Sequence, residues 1–129
     1  MKKKILIVIA NYYADISLGL LNSAKKVLPK SFTIKTIKVP GVFEIPVTIS
    51  KNLKKFDAFI ALGCVIKGKT PHFDFISKAS TDAIMNLSIA SKKPIGNGII
   101  TCLNMNQAKV RKSKGSEAAE AVLSVLSQK

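Results

Sequence analysis

The chain has 129 residues with 47% apolar side chains, which suits one domain over residues 1–129, and no apolar run approaches the ~18 residues that cross a bilayer. Its formal charge of +14 comes from 20 lysines and one arginine, Arg111, against seven acidic residues. Because the lysines are scattered in ones and twos without interleaved aromatic residues, the charge does not favour a nucleic-acid partner and suits small anionic ligands better.

The first element begins in MKKKILIVIANYY, whose charged start and apolar stretch imitate a signal peptide. The apolar stretch covers only residues 5–10, and Asn11, Tyr12 and Tyr13 follow where a cleavage site would need small residues. The stretch therefore predicts a buried strand of a cytoplasmic protein. Cys64 and Cys102 form no CxxC pair, and with a single histidine they predict reduced core thiols and no metal site.

Apolar, β-branched runs predict four strands, at residues 5–9, 32–39, 56–65 and 94–103. The second run alternates apolar with polar residues, which predicts an edge strand. Between the runs, residues with helical spacing predict a helix striped by Ile16, Leu20, Ala24, Val27 and Leu28. A short helical segment follows at residues 43–53. A long helix from Pro71 carries the stripe Ile76, Ala79, Ala83, Leu87 and Ala90. The last helix carries the stripe Ala118, Val122, Val125 and Leu126.

This alternation of strands and helices predicts an α/β fold, a three-layer α/β/α sandwich around a four-stranded parallel sheet. In such sheets, ligands bind beyond the carboxyl ends of the strands. That rule selects four loops as candidate site segments: residues 11–15, 40–44, 66–72 and 97–104.

The third loop, in GCVIKGKTPHFDF, contains the only histidine of the chain, His72. The string matches the P-loop pattern formally, but residues 63–66 continue an apolar strand and Pro71 follows at once, which argues against a phosphate-cradling loop. Thr70 is expected as the N-cap and Pro71 as the first helical residue, so His72 falls in the first turn beside an anion site. His72 is therefore a candidate base, although a role confined to the helix start is the alternative.

Two further segments have both a structural and a functional interpretation. VPGVFEIP predicts a turn and a capped helix start, in which Phe43 and Glu44 either pack locally or face a ligand. The basic turn at residues 111–115 is either a solvated turn or an anion clamp. Tyr12 and Tyr13 add aromatic surface beside the same expected cleft.

Three motifs, in the same order over nearly the whole chain, resemble those of the 6,7-dimethyl-8-ribityllumazine synthase family. VPGVFEIP is similar to the family's VPGAFEIP, ALGCVIKGKTPHFDF to ALGCVIRGETPHFD, and KGSEAAEAVL to NKGxEAAxAxL. The resemblance implies a flavodoxin-like fold and the penultimate step of riboflavin biosynthesis. In that step, 5-amino-6-(D-ribitylamino)uracil condenses with 3,4-dihydroxy-2-butanone 4-phosphate, with loss of phosphate and water and without a cofactor.

The resemblance also implies which residues contact the substrates, with His72 as general acid and base. The pyrimidine and ribityl contacts fall on Tyr12, Val42, Phe43, Glu44, Val65, Ile66 and Asn97. The phosphate contacts fall on Lys69, Thr70, Arg111 and Lys114. Tyr12 stands where the family usually has phenylalanine or tryptophan. The turn at residues 111–114 is several residues shorter than usual, which leaves open whether Arg111 or Lys114 makes the main phosphate contact.

Active sites of the family lie between neighbouring subunits of a five-fold ring, so the resemblance implies a homopentamer. The short turn and the near absence of residues before the first strand predict separate pentamers without an icosahedral shell. Two other functions stay open. An archaeal-type riboflavin synthase would need no phosphate site, which leaves Lys69, Arg111 and Lys114 unexplained. A non-catalytic flavin- or phospholigand-binding module would leave His72 without a role.

Overall fold

Four parallel strands form the centre of the computed structural model, which describes residues 2–128. The strands are β1 (Lys4–Ala10), β2 (Thr33–Val39), β3 (Ala58–Ile66) and β4 (Ile95–Cys102). Their order in the sheet is β2-β1-β3-β4, which is the flavodoxin-like order without a fifth strand. The parallel sheet and the edge position of β2 are both confirmed.

Helices cover both faces of this sheet. They are α1 (Ala14–Val27), α2 (Ile45–Lys51), α3 (His72–Ser91), α4 (Met105–Val110) and α5 (Lys114–Leu126), and a 3-10 turn (Val42–Glu44) precedes α2. Residues of α1, α4 and α5 pack on one face, and residues of α2 and α3 pack on the other. The three-layer α/β/α arrangement is therefore confirmed. No helix within residues 2–128 is long and apolar enough to cross a bilayer.

The continuous apolar runs are explained by the central position of β1 and β3, which are covered on both faces. Successive residues of a strand point to opposite faces. Accordingly, Ile5, Ile7 and Ile9 join the core under α1 and α5, whereas Leu6 and Val8 join the core under α2 and α3. All five side chains are buried.

The expected stripe of α3 is partly wrong. Ile76 and Leu87 pack against the core as expected, but Ala79 and Ala90 are exposed, and the two buried residues of this 20-residue helix are Ser80 and Ile84. The helix carries apolar residues on more than one side, including Phe75 and Ile89, each 68% exposed, so spacing alone identified the side that faces the sheet only in part. In α5, Val125 is likewise 43% exposed, although Ala118 and Val122 are buried as expected.

Candidate active site

A cavity of about 680 Å³, the first cavity, opens beside the carboxyl ends of β1 and β3. This volume lies in the range of small-molecule sites. Its lining comes from the ends of both strands, the 3-10 turn and the first turns of α3: Tyr12, Tyr13, Gly41, Val42, Phe43, Glu44, Cys64, Val65, Ile66, His72, Phe75 and Ile76. The structure therefore brings together seven of the sequence-predicted site residues: His72, Tyr12, Val42, Phe43, Glu44, Val65 and Ile66.

An aromatic pair stands at the mouth of the first cavity. Tyr12 is 76% exposed, and its ring meets the Tyr13 ring edge-on, with 4.9 Å between centroids and 80° between planes. Such T-shaped pairs are favourable. Tyr13 itself packs against the core, and burial, together with Tyr12 and Cys64, raises the pKa of its phenol. Tyr13 therefore supports an exposed ring on which a flat ligand can stack.

The 3-10 turn forms the opposite wall and lies tightly against the sheet. Gly63 makes this approach possible, because a Cβ there would lie 2.9 Å from Val42 Cγ2 and 3.1 Å from Ala10 Cβ. The Gly41 N–H donates to Glu44 Oε1 at 2.9 Å, so one oxygen of this carboxylate accepts from its own turn. Phe43, 64% exposed, remains an apolar surface for a ligand.

His72 is the first residue of α3, and its side chain is exposed at the first cavity. The helix begins one residue later than expected, with Pro71 as the capping residue. The Thr70 hydroxyl accepts from the His72 N–H at 3.4 Å. Residues 63–66 belong to β3, so the P-loop interpretation is excluded as expected. Phe75, which the sequence interpretation missed, lines the cavity three residues later; the i, i+3 spacing of α3 could have identified it.

Cys64 also lines the first cavity but does not supply a nucleophile. Burial, together with the neighbouring Cys102, raises the pKa of its thiol to about 12. The group therefore stays protonated at neutral pH, whereas the thiolate is the reactive form. Both cysteines are buried and free, as the sequence predicted.

A second cavity, of about 610 Å³, lies between α3, β4 and the turn that joins α4 to α5. Its lining contains the three other predicted residues, Asn97, Arg111 and Lys114, and also Thr81, Ile99, Ile100, Thr101, Val110, Ser113 and Glu117. Alternation along β4 from Asn97 could have identified Ile99 and Thr101. The structure thus places ten of the twelve predicted site residues at two separate cavities of the chain.

The basic residues of the α4–α5 turn differ in their surroundings. Arg111 Nη1 donates to the Thr101 carbonyl at 3.3 Å, whereas Lys114 Nζ lies 3.8 Å from Glu117 Oε1. The Lys112 side chain packs over α1, because a Cβ on Gly19 would lie 2.4 Å from Lys112 Cδ. Arg111 therefore has a neutral hydrogen-bond partner at the second cavity, whereas the Glu117 carboxylate offsets part of the Lys114 charge.

Lys69 and Thr70, the other two predicted phosphate contacts, line neither cavity. Both are exposed in the loop between β3 and α3. The Thr70 hydroxyl meets the α3 backbone, as described above.

The sequence matches a known family over almost its whole length. Residues 2–129 match the family model described as 6,7-dimethyl-8-ribityllumazine synthase. Proteins with that name from Agrobacterium fabrum and Bartonella tribocorum are 41% and 42% identical, over 99% and 100% of this chain and 95% and 93% of theirs. One from Cutibacterium acnes is 39% identical, over 95% of this chain and 80% of its own. These matches span the elements that line both cavities.

Proposed function

Because the chain belongs to the 6,7-dimethyl-8-ribityllumazine synthase family, we propose that its first cavity binds the pyrimidine substrate of that reaction. The chain is a transferase of riboflavin biosynthesis. It condenses 5-amino-6-(D-ribitylamino)uracil with 3,4-dihydroxy-2-butanone 4-phosphate, with loss of phosphate and water. The main support for this site is that His72 and the Tyr12 and Phe43 rings line the same cavity.

In the proposed complex, the pyrimidine ring stacks on Tyr12, and the ends of Val65 and Ile66 contact its edge. The ribityl chain runs along residues 42–44, where Phe43 gives apolar contact and the turn backbone gives polar contact. Support for this pose comes from the lining itself, which is aromatic and apolar with few polar groups, as in most small-molecule sites.

His72 is proposed as the group that moves protons. Amine attack on the ketone, loss of water to give the imine, elimination of phosphate and ring closure each need a proton taken up or released. Tyr13 and Cys64 keep their protons at neutral pH because burial raises the pKa of both groups. One oxygen of Glu44 is occupied by Gly41. The exposed imidazole of His72 is therefore the best placed acid and base, and holding the two reactants together supplies much of the remaining rate.

The phosphate group needs cations, and the first cavity has no lysine or arginine in its lining within the described part of the chain. Arg111 and Lys114 line the second cavity instead. We therefore propose that Asn97, Arg111 and Lys114 of one chain complete the first cavity of its neighbour. Lys69 and Thr70, in the loop that precedes His72, would approach the phosphate from the chain that holds the pyrimidine.

A ring of copies suits the apolar surface of the chain. Phe43 and Phe75 are exposed beside the first cavity, and Leu103 and Val110 are exposed around the α4 segment near the second cavity. Two different surfaces that pair head to tail form a heterologous contact, which gives a ring when the rotation between neighbouring chains closes. We propose a homopentamer of single-domain chains in the cytoplasm, where the two free buried thiols stay reduced.

Alanine at Arg111 is expected to raise the KM for the butanone phosphate more than alanine at Lys114, because Glu117 already offsets part of the Lys114 charge. Both variants should change the KM for the pyrimidine much less. Steady-state kinetics with each substrate varied in turn measures the effect. Lys112→Ala, whose side chain packs over α1, is the matched control and should leave both KM values unchanged. If neither cavity variant alters phosphate dependence, Lys69 becomes the next candidate.

Light scattering is expected to give a mass of about five chains, roughly 70 kDa from 13.9 kDa per chain. The short α4–α5 turn and the positive charge of the chain both disfavour contacts between rings at low salt. A particle of about 60 chains would contradict this prediction.

Mixing two impaired variants, assayed at a butanone phosphate concentration well below the KM of Arg111→Ala, tests whether the site is shared between chains. His72→Ala and Arg111→Ala chains, unfolded together and refolded at equal amounts, should form sites of which about a quarter have both residues intact. Activity should then rise well above the sum of the two separate variants. If the site lay within one chain, no mixed site would hold both residues, and activity would stay at that sum.

The activity itself is tested by mixing the purified protein with both substrates and following the lumazine chromophore by absorbance, without any added cofactor. Appearance of the chromophore with release of one phosphate per product supports the proposal. Consumption of added lumazine without any phosphate dependence would instead indicate riboflavin synthase activity. Binding without turnover would indicate a non-catalytic module.

A further inference from the structure

Eleven lysines lie at one end of the molecule, where the strands begin and the helices between them end. These residues define the amino-end face: Lys2, Lys3, Lys4, Lys25, Lys26, Lys30, Lys51, Lys54, Lys55, Lys92 and Lys93. Within residues 2–128, the acidic residue among these strand starts and helix ends is Asp57, whose carboxylate accepts from the Lys4 N–H at 2.8 Å. The lysines are scattered along the sequence, but the fold brings these eleven to one end of the molecule.

The parallel fold explains this concentration. All four strands start at the same edge of the sheet, and the helices that run back between them end there. Hydrogen bonds join the segments directly: Thr33 N–H donates to the Lys3 carbonyl at 2.9 Å, and Asp57 N–H donates to the Lys4 carbonyl at 2.8 Å. Lysines that are far apart in the sequence thus belong to adjoining segments.

Structural roles account for only some of these lysines. Lys25, Lys26 and Lys51 lie in last helical turns, where cations offset the helix dipole. Lys93 Nζ donates to the carbonyls of Leu53 and Phe56, the latter at 2.9 Å, and so connects the turn after α2 to the start of β4.

Within residues 2–128, the structure shows no helix-end or hydrogen-bonding role for the side chains of the other lysines of the amino-end face. Lys30, Lys54 and Lys55 are exposed in connecting segments. The ion pairs found within the described residues, Lys78 with Asp82 and Lys114 with Glu117, lie elsewhere. Like charges gathered this closely repel one another, and an anionic partner would relieve that repulsion.

We propose that the amino-end face binds the phosphate backbone of double-stranded nucleic acid without reading its sequence. A duplex carries one negative charge per about 1.7 Å of its axis, so several lysines can contact it at once. Lysine is a point charge without the fork that arginine uses to read guanine. The exposed aromatic rings, Tyr12, Phe43 and Phe75, lie at the first cavity. Unstacked bases and membrane surfaces both favour such rings, so a duplex fits this face better than either.

The location of this face leaves the active site open. Both cavities lie beyond the carboxyl ends of the strands or beside the α4–α5 turn, away from the strand starts. A bound duplex would therefore hold the enzyme in place without blocking substrate entry, and lumazine formation should continue in the complex.

The test compares two triple variants that lose the same charge in different places. Lys30→Gln, Lys54→Gln and Lys55→Gln alter the amino-end face, whereas Lys38→Gln, Lys78→Gln and Lys109→Gln alter exposed lysines elsewhere. Fluorescence anisotropy measures binding to a labelled duplex DNA of about 24 base pairs and mixed sequence, between 50 and 200 mM salt. The first triple should bind roughly ten- to a hundredfold more weakly, with a salt slope shallower by about three. The second should change affinity by less than about threefold.

Three results would overturn the proposal. Equal weakening by both triples would mean that net charge alone attracts the duplex. Failure of the unaltered protein to bind at about 0.15 M salt would mean that the face has no such partner. Tighter binding to phosphatidylserine vesicles than to the duplex would identify a membrane surface instead. Lumazine formation, measured in the same samples, should be unchanged in both triples and reports on the active site independently.

Discussion

Alanine at His72 is expected to lower kcat by roughly ten- to a thousandfold while KM for either substrate changes little. The imidazole is the exposed proton-transfer group at the first cavity, and the nearby Tyr13 and Cys64 hold their protons because burial raises the pKa of each. The lower end of the range applies if holding the two reactants together supplies most of the rate. Single-turnover absorbance of the lumazine product measures the chemical step directly.

The fold should survive this change because the His72 side chain is exposed and lies outside the buried core. Thermal unfolding should therefore be unaltered within a degree or two, which separates a chemical effect from loss of structure. Asp74→Ala, in the same first turn of α3 but outside the cavity lining, is the matched control and should retain activity. If folded His72→Ala formed lumazine at a rate near that of the unaltered enzyme, His72 would not be the general acid and base.

The sheet could be predicted from the sequence because two of its strands are buried on both faces. Continuous apolar runs such as residues 5–9, too short for a typical helix and separated by segments with helical spacing, indicate strands covered on both faces. The side of α3 that packs on the sheet was predicted only in part, because Ile76 and Leu87 contact the core whereas Ala79 and Ala90 are exposed. A serine, Ser80, is buried beside Ile84, and apolar residues such as Phe75 and Ile89 are exposed on the other sides. A helix with apolar residues on several sides gives no single stripe.

The sequence named candidate site residues one by one, but their division between two cavities was visible only once the strand order was known. Because β1 lies between β2 and β3, the loops that follow these strands meet, which brings Tyr12, Phe43 and His72 together. The strand that carries Asn97 is at the far edge, and its cavity faces the α4–α5 turn. The amino-end face depends on the same topology, since no short stretch of the sequence contains more than three of its lysines.

Alanine at Gly115 is expected to destabilise the protein, although a glycine-to-alanine change inside a helix normally stabilises it by about 1 kcal/mol. Gly115 lies near the start of α5 at its closest approach to α1. A Cβ there would lie 2.0 Å from the Leu20 carbonyl oxygen and 3.1 Å from the Ala24 nitrogen. Both atoms belong to the backbone of a buried helix face, so they cannot rotate away as a side chain would. The two helices must separate, at a net cost of about 2 kcal/mol or more.

This destabilisation should appear as a melting temperature roughly 6–10 °C below that of the unaltered protein, measured by circular dichroism. Gly68→Ala is the control, because a Cβ at Gly68 meets nothing within 4 Å; its melting temperature should stay the same or rise slightly. The change at Gly115 also affects the second cavity, since Lys114 and Glu117 lie on the same first turn of α5. Below the melting temperature, the KM for the butanone phosphate should therefore rise in Gly115→Ala while the KM for the pyrimidine holds. An unchanged melting temperature would mean that α1 and α5 can separate freely, and the close approach would then not fix the position of Lys114.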